Sequence, residues 1–291
     1  MQEAKIKAIA PWFGGKRTMA PLIVTELGKH SAYWEPFCGS CAVLFAKPPS
    51  SQETLIDLHG DLINLARVLK SDLAVDLYEK ASRVLCSTEL YREEMAAATP
   101  ADPLDRALQF LILSWMGRNG TSGTRRTNYA PAMRFTPGGG STSTRWRNAV
   151  ESIPWWHERL RACQFIGGDS FEFIPKVADA RGVVIYADPP YVRGSRASGG
   201  GSDYLHDFSE ADAPMFGERN QHVLLAEQLG RFKQTRVVVS YYDCDFVRKL
   251  YRGWTFVDCM MQKNLHVQNR RGVGACEAPE VLIINGPSYA K

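Results

Sequence analysis

Four carboxylates stand where short apolar runs end, and their neighbours suit a ligand-binding rim. The run Val183 to Ala187 gives way to Asp188-Pro189-Pro190-Tyr191, so strand formers lead into an acid, a stiff backbone and an aromatic ring. Glu35 lies in "AYWEPF" and is followed by Cys38-Gly39-Ser40-Cys41 before a helical pattern. Small side chains let a ligand approach the backbone, and a helix start offers unpaired N–H groups. Asp57 lies near the end of "ETLIDL", a position from which a carboxylate can accept both hydroxyls of a ribose, and Asp169 closes "CQFIGGD". Each has a plain structural alternative: a Pro-punctuated turn, a tight turn or a surface acid. Solubility alone does not explain four acids at four strand ends, and in open parallel sheets ligands bind beyond the carboxyl ends of the strands.

Other reactive residues carry less. Cys38 and Cys41 form a CxxC, but no second ligand pair accompanies them, and Gly39 and Ser40 suit a tight turn rather than a metal site. Seven scattered cysteines without an export signal indicate free thiols in a reducing compartment. His206 and His266 could touch nucleic acid, with surface or packing roles as the alternative. The net charge is only +4, yet from Arg106 to Val150 there is no Asp or Glu, while Arg106, Arg118, Arg125, Arg126, Arg134, Arg145 and Arg147 all fall there. Gly, Ser, Thr and Asn surround them, which places them on mobile loops. A solvated basic face is one reading. Interleaved Tyr129 and Trp146 fit phosphate contact, and therefore nucleic acid, better.

The elements that must hold these groups follow from periodicity. Strands are expected at 32–37, 53–58, 163–169, 182–188 and 235–243, with helices at 61–72, 170–177, 220–232 and 245–251. Alternation of that kind gives a parallel sheet covered on both faces. "WTFVDCMM" and "APEVLIIN" predict a late antiparallel edge hairpin. Residues 72–160 interrupt the rhythm with helices and then arginine-rich loops, an inserted subdomain; Trp155 and Trp156 read as core. A chain of 291 residues, 45% hydrophobic and 23% charged, is an ordinary globular composition with no membrane-length apolar run. The N-terminus lacks the apolar core of a signal peptide, so the expected compartment is the cytoplasm.

"PWFGGKR", then "EPFCGS" with "DLHGDLINL", then "DPPY" at 188–191, with a basic insert between, resemble the Dam-type (D12 class) DNA adenine methyltransferases. The likeness runs from about Ala10 to Asn285 and is weakest in the insert. It implies an α/β, class I methyltransferase (Rossmann-like) fold: a mostly parallel sheet with an antiparallel edge hairpin, residues 1–71 and 161–291 forming the catalytic domain. Residues 72–160 would be the target-recognition subdomain. The implied cofactor is S-adenosyl-L-methionine, contacted by Trp12, Gly15 and Lys16. Glu35, Pro36, Phe37, Gly39 and Ser40 would wrap its methionine part, Asp57 would hold its ribose, and Asp169 would lie near its adenine. Asp188 would border it. The implied partner is double-stranded DNA, bound by a monomer in a bacterial cell, of phage, restriction-modification or chromosomal-regulator origin. Its contacts would come from Arg118, Asn119, Arg125, Arg126, Arg134, Tyr204, Lys263, Arg270 and Arg271. Where the family's turn carries further glycines, this chain has Ser40 and Cys41, both small enough to keep a cavity.

The resemblance gives Asp188 to Tyr191 a chemical purpose. An exocyclic adenine amine is a poor nucleophile because its lone pair is delocalised into the ring. Acceptors for both N–H bonds draw that lone pair out. Asp188 can accept one and the Pro189 carbonyl, fixed by the Pro190 ring, the other; Tyr191 offers a surface for a base turned out of the duplex. Transfer would be a direct in-line displacement governed by positioning, without a metal. The same geometry suits the N4 amine of cytosine, the nearest alternative. A protein glutamine as target would call for Asn in place of Asp188. A DNA-binding module of the same fold without activity is the third reading.

Overall fold

The structure is a computed structural model that describes residues 6–12, 14–117, 141–195, 205–211, 219–263 and 276–290, with only the backbone of 260–263 and 276–279. Seven strands form one sheet in the order β3-β2-β1-β4-β5-β7-β6. β1 (Ala32–Pro36), β2 (Gln52–Asp57), β3 (Gln164–Gly167), β4 (Val183–Ala187) and β5 (Arg236–Tyr242) run parallel. β7 (Cys276–Ile284) is antiparallel to both β5 and β6 (Thr255–Lys263), as the late hairpin predicts. The strand order reverses between β1 and β4, so a crevice opens where their carboxyl ends diverge.

Alternation along each strand explains why the sheet is covered on both faces. Val184 and Tyr186 of β4, Val238 of β5, and Leu282 and Ile284 of β7 enter one core. Their neighbours Ile185, Ala187, Val237, Val239, Val281 and Ile283 enter the other. A period of two divides the side chains between faces, and the near-continuous apolar runs of the sequence follow from that double burial.

The first core lies under α1 (Ala20–Leu27), α2 (Ala42–Ala46), α3 (Gly60–Lys70), α4 (Leu73–Ser82), α5 (Thr88–Ala96), α6 (Pro103–Met116) and α7 (Thr142–Leu160). The second lies under α8 (Ser170–Phe173), α9 (Gln221–Gly230) and α10 (Asp245–Leu250). α1 has no counterpart in the sequence reading. The helices of the 72–160 segment share the sheet's own core. Trp115 of α6 and Trp156 of α7 are buried and donate their indole N–H groups to the Ile9 carbonyl at 3.2 Å and the Ile6 carbonyl at 2.8 Å, tying down the N-terminal segment.

Three expectations about the basic stretch are corrected here. Arg106, Arg145 and Arg147 lie on helices, not loops. Arg106 pairs with Asp61 of α3 at 2.6 Å, and Arg147 lies 3.8 Å from Glu151, so these two do have acidic partners. Arg145 donates to the Trp115 and Gly117 carbonyls, satisfying the open end of α6. Trp146 is 5% exposed and belongs to the core rather than to a nucleic-acid face. Trp156 is in the core as expected, and Trp155 packs against it.

Candidate active site

The turn after β1 sets the geometry of the crevice. Phe37, Gly39 and Cys41 all take left-handed backbone angles, with φ of 64°, 46° and 60°. A left-handed non-glycine residue costs roughly 1–2 kcal/mol, and such strain collects at functional turns. The CxxC is indeed a tight turn, closed by the Cys41 N–H donating to the Cys38 carbonyl at 2.9 Å, with both thiols buried. Asp57, at the end of β2, accepts from the Gly39 N–H at 2.8 Å through one oxygen and from the His59 N–H at 2.9 Å through the other. It thus fixes both the turn and the start of α3. Each oxygen keeps a second lone pair for a ligand.

Two cavities meet across Trp12, Phe37 and Asp188. The first, ≈ 430 Å³, is lined by Gly15, Lys16, Glu35, Gly39 and Ser40, among others. The second, ≈ 700 Å³, is walled by His59, Phe171, Phe208 and the acids Asp57 and Asp169. Asp169 caps α8, accepting from the Phe171 N–H at 3.0 Å, which turns the Phe171 ring to the cavity wall. Of the eleven residues assigned to the cofactor, these two cavities gather Trp12, Gly15, Lys16, Glu35, Phe37, Gly39, Ser40, Asp57, Asp169 and Asp188. Pro189 and Pro190 line one cavity each, and Pro36, buried, supports the turn.

The charges at the junction form one group. Lys16 is buried, donates to the Gly14 carbonyl at 2.6 Å, lies 2.9 Å from Asp188 Oδ2 and 3.8 Å from Glu280 Oε1. Burial works against its ammonium, but the two carboxylates outweigh that and raise its pKa. Burial pushes the Asp188 carboxyl up to about 6, with Lys16 pulling it back. Burial also raises Glu35 to about 8, and the nearby Asp188 charge adds to the effect. Among the described residues, Glu35 Oε2 and Asp188 Oδ1 are buried and have no hydrogen-bond partner. A buried acceptor without a partner costs free energy that only an incoming donor recovers. The arrangement therefore suits a cationic, donor-rich ligand: an ammonium beside Glu35, a nucleoside among the aromatic walls, and an amine at Asp188. The residues present fit S-adenosylmethionine.

Tyr191 is placed differently from a free stacking surface. Its ring is 2% exposed, with the Lys16 ammonium 4.9 Å from its centroid and the Tyr242 ring edge-on at 4.6 Å. Its hydroxyl donates to Glu280 Oε1 at 3.2 Å. Sequence reasoning missed Glu280, His59, Phe171 and Phe208 as lining or anchoring groups. Phe171, two residues after Asp169, carried a weak signal; Glu280 carried none. The proposed DNA contacts Arg118, Asn119, Arg125, Arg126, Arg134, Tyr204, Arg270 and Arg271, with His266 and Tyr129, lie outside the described residues, and Lys263 is described only as part of β6. His206 is exposed and lies edge-on to His59, 6.2 Å between ring centroids, at the second cavity.

The chain is similar to known proteins over most of its length. The model of the D12 class N6 adenine-specific DNA methyltransferase family matches residues 12–271. A DNA adenine methylase of Serratia marcescens is 28% identical over 259 residues, covering 85% of this chain and 88% of that protein. A DNA adenine methylase of Haemophilus influenzae is 26% identical, covering 90% and 88%, and the Retron Ec67 DNA adenine methylase of Escherichia coli is 27% identical, covering 97% and 92%.

Proposed function

Since the chain belongs to the D12 class of N6 adenine-specific DNA methyltransferases, we propose that it methylates a target adenine held between Asp188 and Pro189, with S-adenosylmethionine in the two joined cavities. The observation that carries this reading is the pair of oxygens on Asp188: Oδ2 is tied to Lys16 at 2.9 Å, while Oδ1 is buried with no partner among the described residues. Oδ1 accepts one N–H of the amine, and the Pro189 carbonyl accepts the other. Together they localise the nitrogen lone pair away from the ring, and their fixed placement means that no reorganisation is needed during reaction. The cofactor, when bound, supplies a methyl group on a positively charged sulfur.

The remaining residues hold and orient. Glu35 faces the cofactor's ammonium, Asp57 and Asp169 its nucleoside hydroxyls and base, and Trp12 and Phe37 the junction. Trp12 lies 5.4 Å edge-on from His59 and Phe37 5.5 Å from Phe208, so two ring pairs line the second cavity. The base leaves the duplex to reach Asp188. DNA contact by the arginines of 118–134 and by the β6–β7 connection rests on the absence of acidic neighbours in the sequence and on the family's substrate. DNA as substrate and the bacterial relatives favour the bacterial cytoplasm as its place; among the described residues no helix is long and apolar enough to cross a membrane.

Expression in a bacterial host without adenine methylation, followed by sequencing that detects modified bases, tests the reading. N6-methyladenine at a fixed motif is expected. N4-methylcytosine would establish the cytosine alternative, and unmodified DNA would leave the inert module.

A further inference from the structure

Among the described residues, Glu280 is the one buried carboxylate at the junction without a part in the proposed reaction. It sits on β7, in register with Tyr242 of β5 and Cys259 of β6, and is 5% exposed. Its Oε1 accepts from the Tyr191 hydroxyl at 3.2 Å and lies 3.8 Å from the Lys16 ammonium. One cation is thus shared by two carboxylates, the closer being Asp188 at 2.9 Å. We propose that Glu280 is a positioning residue for methyl transfer: it anchors Tyr191 and holds Lys16 back, so that Lys16 engages one oxygen of Asp188 and leaves the other for the target amine.

The inference rests on the role given to Asp188. Without the Glu280 charge, the ammonium has Asp188 as its sole carboxylate partner among the described residues and is free to span both of its oxygens. The orphaned state of Oδ1 would then be lost. Without the Glu280 oxygen, the Tyr191 hydroxyl loses the acceptor at 3.2 Å on β7, and the loop that carries Pro189 and Pro190 loses a tie to that strand. The edge hairpin thereby acts on the chemistry from the far side of β5.

The charged and titratable groups facing Asp188 are Lys16 from the N-terminal segment, Glu35 from β1, Tyr186 from β4, Tyr191 from its own loop, Tyr241 and Tyr242 from β5, and Glu280 from β7. Among these, Glu280 opposes ionisation of Asp188, whereas Lys16 and the Tyr191 hydroxyl favour it. Substitutions at the two ends of the Tyr191–Glu280 contact should therefore move the acid limb of kcat in opposite directions.

Glu280→Gln keeps an oxygen for Tyr191 but removes the charge. Its acid limb should shift to lower pH by about half a unit or more, and its plateau should fall, by about threefold. Tyr191→Phe should shift the limb upward. Glu280→Ala, which loses charge and anchor, should lower the plateau by about tenfold or more, placing it below Glu280→Gln. The experiment is single-turnover methylation of plasmid DNA across the pH range, with thermal unfolding of each variant recorded alongside. A merely structural Glu280 would lower the unfolding temperature and the active fraction without moving the limb. An unmoved or raised limb in Glu280→Gln overturns the proposal even if Glu280→Ala fails to fold. Asp188→Asn separates this from the reading beneath it. If Asp188→Asn keeps parental turnover, the role of Asp188 is wrong; if it is inactive while Glu280→Gln matches the parent, only the role of Glu280 is.

Discussion

Glu35 and Glu53 lie on adjacent strands and are almost equally buried, 2% and 4% exposed, yet they are opposites in charge behaviour. Glu53 stands at the amino end of β2, where Lys47, the Arg159 guanidinium at 2.8 Å and the Ser50 N–H at 3.0 Å all meet its carboxylate. Burial works against its charge, but Arg159 and Lys47 overcome that and hold its pKa at about 2. Glu35 stands at the carboxyl end of β1, where burial raises it to about 8 and Oε2 is left without a partner among the described residues. Depth is the same, so depth does not distinguish a supporting acid from a ligand-binding one. The difference is whether the protein itself closes the partner set. At the amino edge α2 and α7 deliver two cations to Glu53. At the carboxyl edge the strained turn and the crevice leave Glu35 and Asp188 open, and that incompleteness is the signature of the site.

The contrast can be broken at either end. Glu53→Ala strands Lys47 and Arg159 as buried cations, and removing one partner of a buried pair costs about 3–5 kcal/mol. Urea unfolding should show that loss; a cost under about 1 kcal/mol would mean the cluster is solvated and the contrast false. Asp188→Ala removes the acceptor proposed for the target amine, and kcat should fall by at least about a hundredfold while circular dichroism and unfolding stay near parental. In the parent enzyme the acid limb of kcat should lie near pH 6, since Asp188 must be ionised to accept.

Glu35→Gln sharpens the comparison. With a pKa of about 8, Glu35 is protonated at neutral pH in the free protein, and an ammonium placed beside it favours the charged form. Cofactor binding should then release a proton and strengthen as pH rises towards 8, which calorimetry in buffers of different ionisation enthalpy detects. Glu35→Gln should abolish the release and weaken affinity by about tenfold or more. The sign for stability follows from the same shift. Folded protein keeps a proton that the unfolded chain gives up above the ordinary carboxylate range, so stability falls as pH rises from there to about 8. Glu35→Gln should flatten that slope in melting temperature against pH.

The smallest effect is expected at Cys41→Gly. Glycine relieves a left-handed residue, worth roughly 1–2 kcal/mol, but gives up a fully buried thiol of comparable worth. Denaturant unfolding should move by less than about 1 kcal/mol in either direction. A larger loss would show that the Cys41 side chain does more than fill space, and that the turn tolerates glycine less well than its backbone angles imply.

Local pattern was enough for much of this protein. Each of β1 to β5 falls within a residue of two of its expected bounds, because a strand's identity is carried by consecutive side chains that must be buried on both faces. The acids at the strand ends were legible for the same reason: Asp188 and Glu35 follow directly from where the apolar runs stop. Long-range pairing was not legible. Arg106 reads as an unpartnered cation until α6 packs on α3 and brings Asp61 to 2.6 Å, and Trp146 reads as a surface ring until α7 turns it inward. Glu280 reads as an ordinary acid in a strand. Only the antiparallel return of β7 beside β5 sets it against Tyr191 and Lys16, residues 89 and 264 positions earlier in the chain. Secondary structure is encoded in neighbours along the chain, whereas the charge state and partner of a buried group depend on which distant elements the packed core brings to it.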